Sequence, residues 1–89
     1  MKAAVLQALG KPPGCEDFAE PTAGANEVIL QVRAASLKSV DKQLASGKHF
    51  ASPRGLPVIC GTDGVGTLPD GTRVFFGGPR RPFGAMAER

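Results

Sequence analysis

The 89-residue sequence has no tryptophan, no tyrosine, one histidine and only two cysteines. Two cysteines are too few for a disulfide scaffold, and Cys15 and Cys60 lack the close spacing of a metal-binding pair, so we expect reduced thiols. Long apolar runs are also missing, since the longest is Ala3–Leu6 and a membrane span needs about 18 residues. Because the N-terminus lacks the apolar segment of a secretory signal, the sequence predicts a cytoplasmic protein without a membrane partner.

The length and the charge of the chain limit the number of domains and the kinds of ligand that it could bind. Eighty-nine residues suffice for one small domain with a thin core. The net charge of +3 arises in residues 38–89, which carry eight basic and four acidic side chains. Because we expect no exposed aromatic residues to be interleaved with these bases, we favour a solvated face or a site for an acidic ligand over a nucleic-acid surface.

Short strands separated by turns dominate the pattern, with 12 glycines and 8 prolines as punctuation. A period of two over Glu27–Ser36 predicts a half-buried antiparallel strand. One short helix is predicted over Ser39–Ser46, with Gly47 as its left-handed cap. The other expected elements are strands at 2–9, 15–20 and 73–76, a glycine-rich β segment at 58–68 and the beginning of a strand at 83–89. The pattern predicts a mainly β fold, a small irregular β-barrel with one short helix.

Two further segments affect the interpretation. Residues 83–89 end the chain inside an apparent strand, without a turn or a polar tail, so we expect an incomplete domain. Gly61–Gly66 is the most distinctive stretch, but it has neither the dinucleotide-binding spacing nor the P-loop lysine. We therefore expect its glycines to allow close backbone approach or a bulge between barrel strands.

Six segments, taken in order and with their spacing, resemble a known family. They are residues 1–6, 26–37, 39–41, 57–66, 71–74 and 84–88. Together they resemble the N-terminal, GroES-like domain of the medium-chain dehydrogenase/reductase superfamily. The resemblance implies that residues 1–89 are part of a GroES-like domain and that the Rossmann cofactor domain of such enzymes is absent from them.

The resemblance also predicts that no metal is bound. Zinc-dependent alcohol dehydrogenases of this superfamily have a cysteine ligand where this chain has Lys38 and a histidine ligand where it has Thr62. Lysine and threonine are poor zinc ligands, and only Asp63 in this motif is of a suitable type. The chain therefore resembles the zinc-free, quinone oxidoreductase-like branch.

That branch implies a zinc-independent, NADPH-dependent oxidoreductase that reduces quinones, enones or related carbonyl compounds by hydride transfer. We expect NADPH to be bound mainly by the absent domain and residues 1–89 alone to be inactive. The implied partner is a small carbonyl or quinone substrate. Neither nucleic acid nor a membrane is expected, and assembly into a homo-oligomer through absent regions is left open.

Six positions are expected in the cleft. Lys38 is the candidate catalytic cation, which would stabilise developing enolate charge, and its alternative role is a solvated lysine at the start of a helix. Asp41 is a candidate catalytic group or a structural hydrogen-bond acceptor. The remaining candidates are expected to line the substrate pocket, and Thr62 and Asp63 have the alternative role of holding loop geometry: Val40, Gln43, Thr62 and Asp63.

Two functions from other classes remain open at this point. One is a stand-alone small β-barrel that acts as a binding or interaction module without catalysis, because a fold does not fix a function. The other is a basic nucleic-acid binder, which would show a steep salt dependence of affinity.

Overall fold

The computed structural model describes all 89 residues and contains six β-strands and one α-helix. The elements are β1 (Lys2–Leu6), β2 (Gly14–Asp17), β3 (Gln31–Ala35), α1 (Ser39–Ser46), β4 (Val58–Ile59), β5 (Asp63–Thr67) and β6 (Arg73–Gly77). The first sheet has the antiparallel order β2–β1–β4, and the second has the antiparallel order β3–β5–β6. The prediction of a mainly β fold with one short helix is confirmed.

The hydrophobic core lies on the first sheet. Val5, Leu6 and Ile59 are almost completely inaccessible to solvent, because β4 pairs with β1 directly beside them. Phe18 and Phe83 pack edge to face at the margin of this core, with ring centroids 5.9 Å apart. The buried apolar side chains number six, which is the thin core expected for this length: Ala3, Val5, Leu6, Val58, Ile59 and Ala85.

Residues 84–88 join the two sheets. The N–H of Ala4 donates to the Met86 carbonyl at 2.8 Å, and the N–H of Val32 in β3 donates to the Glu88 carbonyl at 2.9 Å. Gly84 fits because a Cβ there would collide with the Ile59 carbonyl oxygen. The strand expected at 83–89 is thus reduced to an extended connection with one ladder bridge, between Ala3 and Ala87.

The glycine-rich stretch has the structural role that the sequence predicts. A Cβ on Gly64 would collide with the Ala34 carbonyl oxygen, and one on Gly66 would lie 2.7 Å from the Gln31 carbonyl oxygen. Both glycines are therefore required for the close approach of β5 to β3. The ladder between these strands also contains the expected bulge, at the register shift between Val32 and Ala34.

The helix prediction is confirmed, whereas most strand boundaries differ. α1 covers Ser39–Ser46 and ends at Gly47, whose φ of 81° is left-handed. The strand predicted over Glu27–Ser36 begins only at Gln31, and the bulge moves its apolar alternation out of register, so that Ala34 is exposed. Residues 58–68 divide into β4 and β5 at Gly61, where φ is 100°. No helix in the chain is both long and apolar enough to cross a membrane.

Candidate active site

A polar cluster lies where the end of β3, the start of α1 and the start of β5 meet. The N–H of Ser36 donates to the Asp63 carbonyl at 3.1 Å, which brings the end of β3 beside the start of β5. The N-cap of α1 is Lys38, and its extended backbone directs the chain from the strand into the helix. We call the five side chains gathered here the Lys38 cluster: Ser36, Lys38, Asp41, Thr62 and Asp63.

The ammonium group of Lys38 is at the centre of this cluster. Its Nζ lies 2.7 Å from Asp63 Oδ1, 2.9 Å from Ser36 Oγ and 3.1 Å from Thr62 Oγ1. An ammonium group has three N–H donors, so three oxygen partners can occupy all of them. Residues from two separate segments, Ser36 after β3 and Thr62 with Asp63 at the start of β5, thus hold the cation in one place.

Asp41 is a buried hydrogen-bond acceptor next to Lys38 and Thr62. It is 7% exposed, and its Oδ2 accepts a hydrogen bond from the backbone N–H of Lys38 at 2.8 Å. Its Oδ1 accepts from the Thr62 hydroxyl at 3.3 Å. The carboxylate thereby satisfies an otherwise unpaired donor at the start of α1, which is the structural acceptor role considered for it from the sequence.

Electrostatics favour the charged form of Asp63. The Lys38 ammonium, and after it the Ser36 hydroxyl, donate hydrogen bonds to this carboxylate and hold its pKa below the usual value. Burial opposes this effect only weakly, because the group is near the surface. Asp63 therefore stays ionised beside the lysine well into the acidic range, and the ion pair persists at neutral pH.

Cys60 is not suited to act as a nucleophile here. Burial, and then the negative charge of Asp41, raise the pKa of its thiol above the usual value. A cysteine nucleophile reacts as the thiolate, which this environment disfavours. The thiol is free, as the sequence predicts.

The Lys38 cluster borders an open groove of about 390 Å³ on the second sheet. Cross-strand register places Ala34, Val65 and Phe75 in one row across β3, β5 and β6. Asp63 lies in the adjacent row, opposite Gly77, which has no side chain to fill the space above it. The groove therefore has a polar end next to an apolar floor.

The other predicted pocket residues do not share this groove. Thr62 and Asp41 line a separate cavity of about 160 Å³, between α1 and the first sheet. Val40 is half-buried in α1 and Gln43 is exposed, and neither lines either cavity. The structure thus brings together Lys38, Asp41, Thr62 and Asp63, whereas Val40 and Gln43 stand apart on the helix.

Ser36 and Phe75 were not identified as candidates from the sequence. Ser36 completes the contacts of the Lys38 ammonium, and the signal for it was its position two residues before Lys38, at the end of a predicted strand. Phe75 lies on the groove floor and is 74% exposed. The face of the sheet on which the Phe75 ring lies follows only from the pairing of β6 with β5, and the composition of the chain does not predict it.

The chain contains neither a cluster of metal-ligating side chains nor a free glycine-rich loop. No group of three or more histidine, cysteine, aspartate or glutamate side chains comes together in the chain. At the Lys38 cluster, the ammonium lies among the side-chain oxygen atoms of Ser36, Thr62 and Asp63. Gly64 and Gly66 lie in β5, which pairs with a strand on each side, so this stretch offers no free loop of N–H groups to cradle phosphates.

The chain is similar to two known oxidoreductases. No protein-family model matches the chain. It is 31% identical over 70 residues to an alcohol dehydrogenase of Geobacillus stearothermophilus, a match covering 79% of this chain and 20% of that protein. It is also 35% identical to a quinone oxidoreductase of Thermus thermophilus, described alone and in complex with NADPH, with a TM-score of 0.86.

The structural match covers 99% of this chain and 28% of the quinone oxidoreductase. The chain thus spans between a fifth and three tenths of the length of these relatives. Both are oxidoreductases, and the likeness extends along nearly every residue of the fold described above. The predicted resemblance to the N-terminal, GroES-like domain of the medium-chain dehydrogenases and reductases, on their quinone oxidoreductase-like side, is confirmed.

Proposed function

We propose that this chain forms the substrate side of a zinc-independent, NADPH-dependent oxidoreductase that reduces quinones, enones or related carbonyl compounds. The observation that carries the proposal is the Lys38 ammonium, fixed by three oxygen atoms at the polar end of an open groove. A cation held in place before the reaction can stabilise negative charge that develops on a substrate oxygen, without reorganising at that moment.

NADPH, when bound, supplies a hydride with its electron pair. When that pair reaches the substrate, the electrons of the carbonyl group move to oxygen, which becomes negatively charged. Lys38 stabilises this charge once the substrate oxygen replaces one of the two hydroxyl oxygens, of Ser36 or Thr62, that its ammonium otherwise contacts. The oxygen then takes a proton from water. Asp63 offsets part of the lysine charge, so the benefit requires the substrate oxygen to lie nearer to Nζ than to the carboxylate.

The remaining parts of the proposal concern zinc, NADPH, location and assembly. Lysine and threonine in place of cysteine and histidine support a reaction without zinc. The lack of a free glycine-rich loop supports NADPH binding mainly outside these residues. We further propose a cytoplasmic location, and any homo-oligomer would form through regions other than residues 1–89.

The test uses the protein at its full natural length. We expect it to oxidise NADPH when duroquinone is added, and a zinc chelator should leave the rate unchanged. Lys38→Met should lower kcat/KM at least about tenfold, because it removes the charge and keeps most of the side-chain volume. The progress of the reaction is followed by the loss of NADPH absorbance.

Lys42→Met is the matched control, since Lys42 is an exposed lysine in the same helix, four residues later. It should change kcat/KM less than about twofold, in line with its position away from the cluster. The proposal is wrong if the two variants behave alike, or if the chelator abolishes the activity.

A further inference from the structure

We propose that Phe75 is a specificity-determining residue, on which a planar cyclic carbonyl substrate stacks with its oxygen directed toward Lys38. This inference rests on the proposed function and selects quinones from its substrate classes. Nothing in the sequence pattern assigns Phe75 a role. Cross-strand register places its ring beside Val65, on the face of the sheet that carries Asp63.

The first step is the exposure of the ring. Phe75 is 74% exposed although it is in a regular strand that is paired along its whole length with β5. The alternate residues Val74 and Phe76 are half-buried on the opposite face of the sheet. The outward ring therefore does not contribute to the core of residues 1–89, and it lines the groove instead.

The second step is the surface beside the ring. Val65 is the direct cross-strand partner of Phe75, and Ala34 is the partner of Val65 on the other side. Side chains in such pairs lie about 5 Å apart, so the three form one continuous apolar strip. Because the side chains of Ala34 and Val65 are short, the surface of the sheet next to the Phe75 ring is flat.

The third step is the polar end. Asp63 lies two residues before Val65 on the same face, which is about 7 Å along the strand. The Lys38 ammonium lies over this position, and all of these side chains line the same groove. A ring that rests on Val65 and contacts Phe75 thus lies in the same groove that Lys38 lines, with its carbonyl oxygen directed toward the polar end.

The shape and charge of the groove select the ligand. Its volume of about 390 Å³ is in the range of small-molecule pockets. A planar, uncharged ring stacks favourably on phenylalanine, whereas a flexible alkyl chain gains only contact area. A quinone combines the planar ring with a carbonyl oxygen, and an acyclic enone has the oxygen without the ring.

Binding without catalysis is the first arm of the test. Ligand-observed NMR titration measures the affinity of duroquinone for the full-length protein without cofactor. Duroquinone is a fully methylated quinone that resists addition of the exposed Cys15 thiol. We expect Phe75→Leu to weaken binding roughly fivefold to tenfold and Phe75→Tyr, which keeps the ring, to retain it. Phe50→Leu is the control, because Phe50 is 94% exposed and lies outside the groove.

The second arm compares substrates. Phe75→Leu should lower kcat/KM for duroquinone by a similar factor and leave kcat/KM for 3-penten-2-one within about twofold. Equal losses for both substrates, or a change confined to the KM for NADPH, would overturn the inference. So would a changed oligomeric state or melting temperature in Phe75→Leu without weaker duroquinone binding, because the ring would then contact protein.

The two proposals fail separately. If the wild-type protein binds duroquinone through Phe75 but oxidises no NADPH with any carbonyl compound, the proposed function is wrong and the ligand site stands. If it reduces duroquinone and Phe75→Leu does so equally well, the proposed function stands and Phe75 has no role in specificity.

Discussion

The two sheets of this chain are stabilised in different ways. The first sheet buries Val5, Leu6 and Ile59, whereas the residues that the second sheet buries are glycines, Gly64 and Gly66. The second sheet instead carries the Lys38 cluster and the exposed Phe75. The chain exposes 5610 Å², against roughly 4,900 Å² expected for a compact monomer of this mass. The largest buried apolar side chains thus lie in the first sheet, and the candidate catalytic side chains lie at the edge of the second, so we expect stability and chemistry to be separated between them.

The largest effect is expected in the core. Ile59→Ala should lower the free energy of unfolding by about 2–5 kcal/mol, because it removes a fully buried side chain beside β1. Val65→Ala on the second sheet should cost less than about 1.5 kcal/mol, since that side chain is only half-buried. Urea denaturation of both variants measures the difference. Equal losses would mean that the second sheet shares the core.

A smaller loss is expected where the second sheet depends on close backbone approach. Gly64→Ala should cost about 1–3 kcal/mol, because the new Cβ would meet the Ala34 carbonyl oxygen and force β5 away from β3. Gly55→Ala is the control, as no atom lies within 4 Å of its Cβ position and its φ is not positive. Thermal unfolding followed by circular dichroism compares them. A stable Gly64→Ala protein would contradict the tight packing of these strands.

The next effect concerns the helix that holds the lysine. Asp41→Ala should destabilise the protein by about 1 kcal/mol, because the backbone N–H of Lys38 loses its acceptor at the start of α1. Asp41→Asn keeps an acceptor oxygen and should recover most of that loss. Chemical denaturation of the two variants is the measurement. If Asp41→Asn were as unstable as Asp41→Ala, the charge rather than the hydrogen bond would be responsible.

The smallest effect is electrostatic. The pKa of Asp63 is lowered in the folded protein, so its ionised form stabilises the fold above a pH of about 4, and this contribution is lost as the pH falls through the lowered pKa. Lys38→Met removes the main cause and should raise that pKa toward its usual value. NMR titration of the Asp63 carboxyl carbon measures it in both proteins. An unchanged midpoint would show that the ion pair is not formed in solution.

The elements with strong local signals could be predicted from the sequence. The helix over Ser39–Ser46 needed only its apolar spacing and Gly47, because both the helix and its cap are local structures. The strand predicted over Glu27–Ser36 is too long, because the pairing with β5 covers only Gln31–Ala35, and this long-range pairing is not encoded by the residues of the strand itself. The connection at 84–88 likewise depends on both sheets at once.

The sequence predicted some residues of the candidate site and missed others. Lys38, Thr62 and Asp63 were identified by their position in a family motif, and they do come together. Val40 and Gln43 were placed in the pocket by the same resemblance, but in α1 they lie away from the groove. Phe75 became visible only through the register of β6 on β5, a long-range property that neighbouring residues do not encode.

One crossed measurement tests most directly whether stability and chemistry are separated between the sheets. Lys38→Met and Ile59→Val are each measured for melting temperature and for kcat/KM with NADPH and duroquinone, in the full-length protein. We expect Lys38→Met to lose at least about tenfold in kcat/KM with little change in melting temperature. Ile59→Val should lose about 0.5–1.5 kcal/mol of stability and keep its activity. Loss of both properties in both variants would contradict the separation.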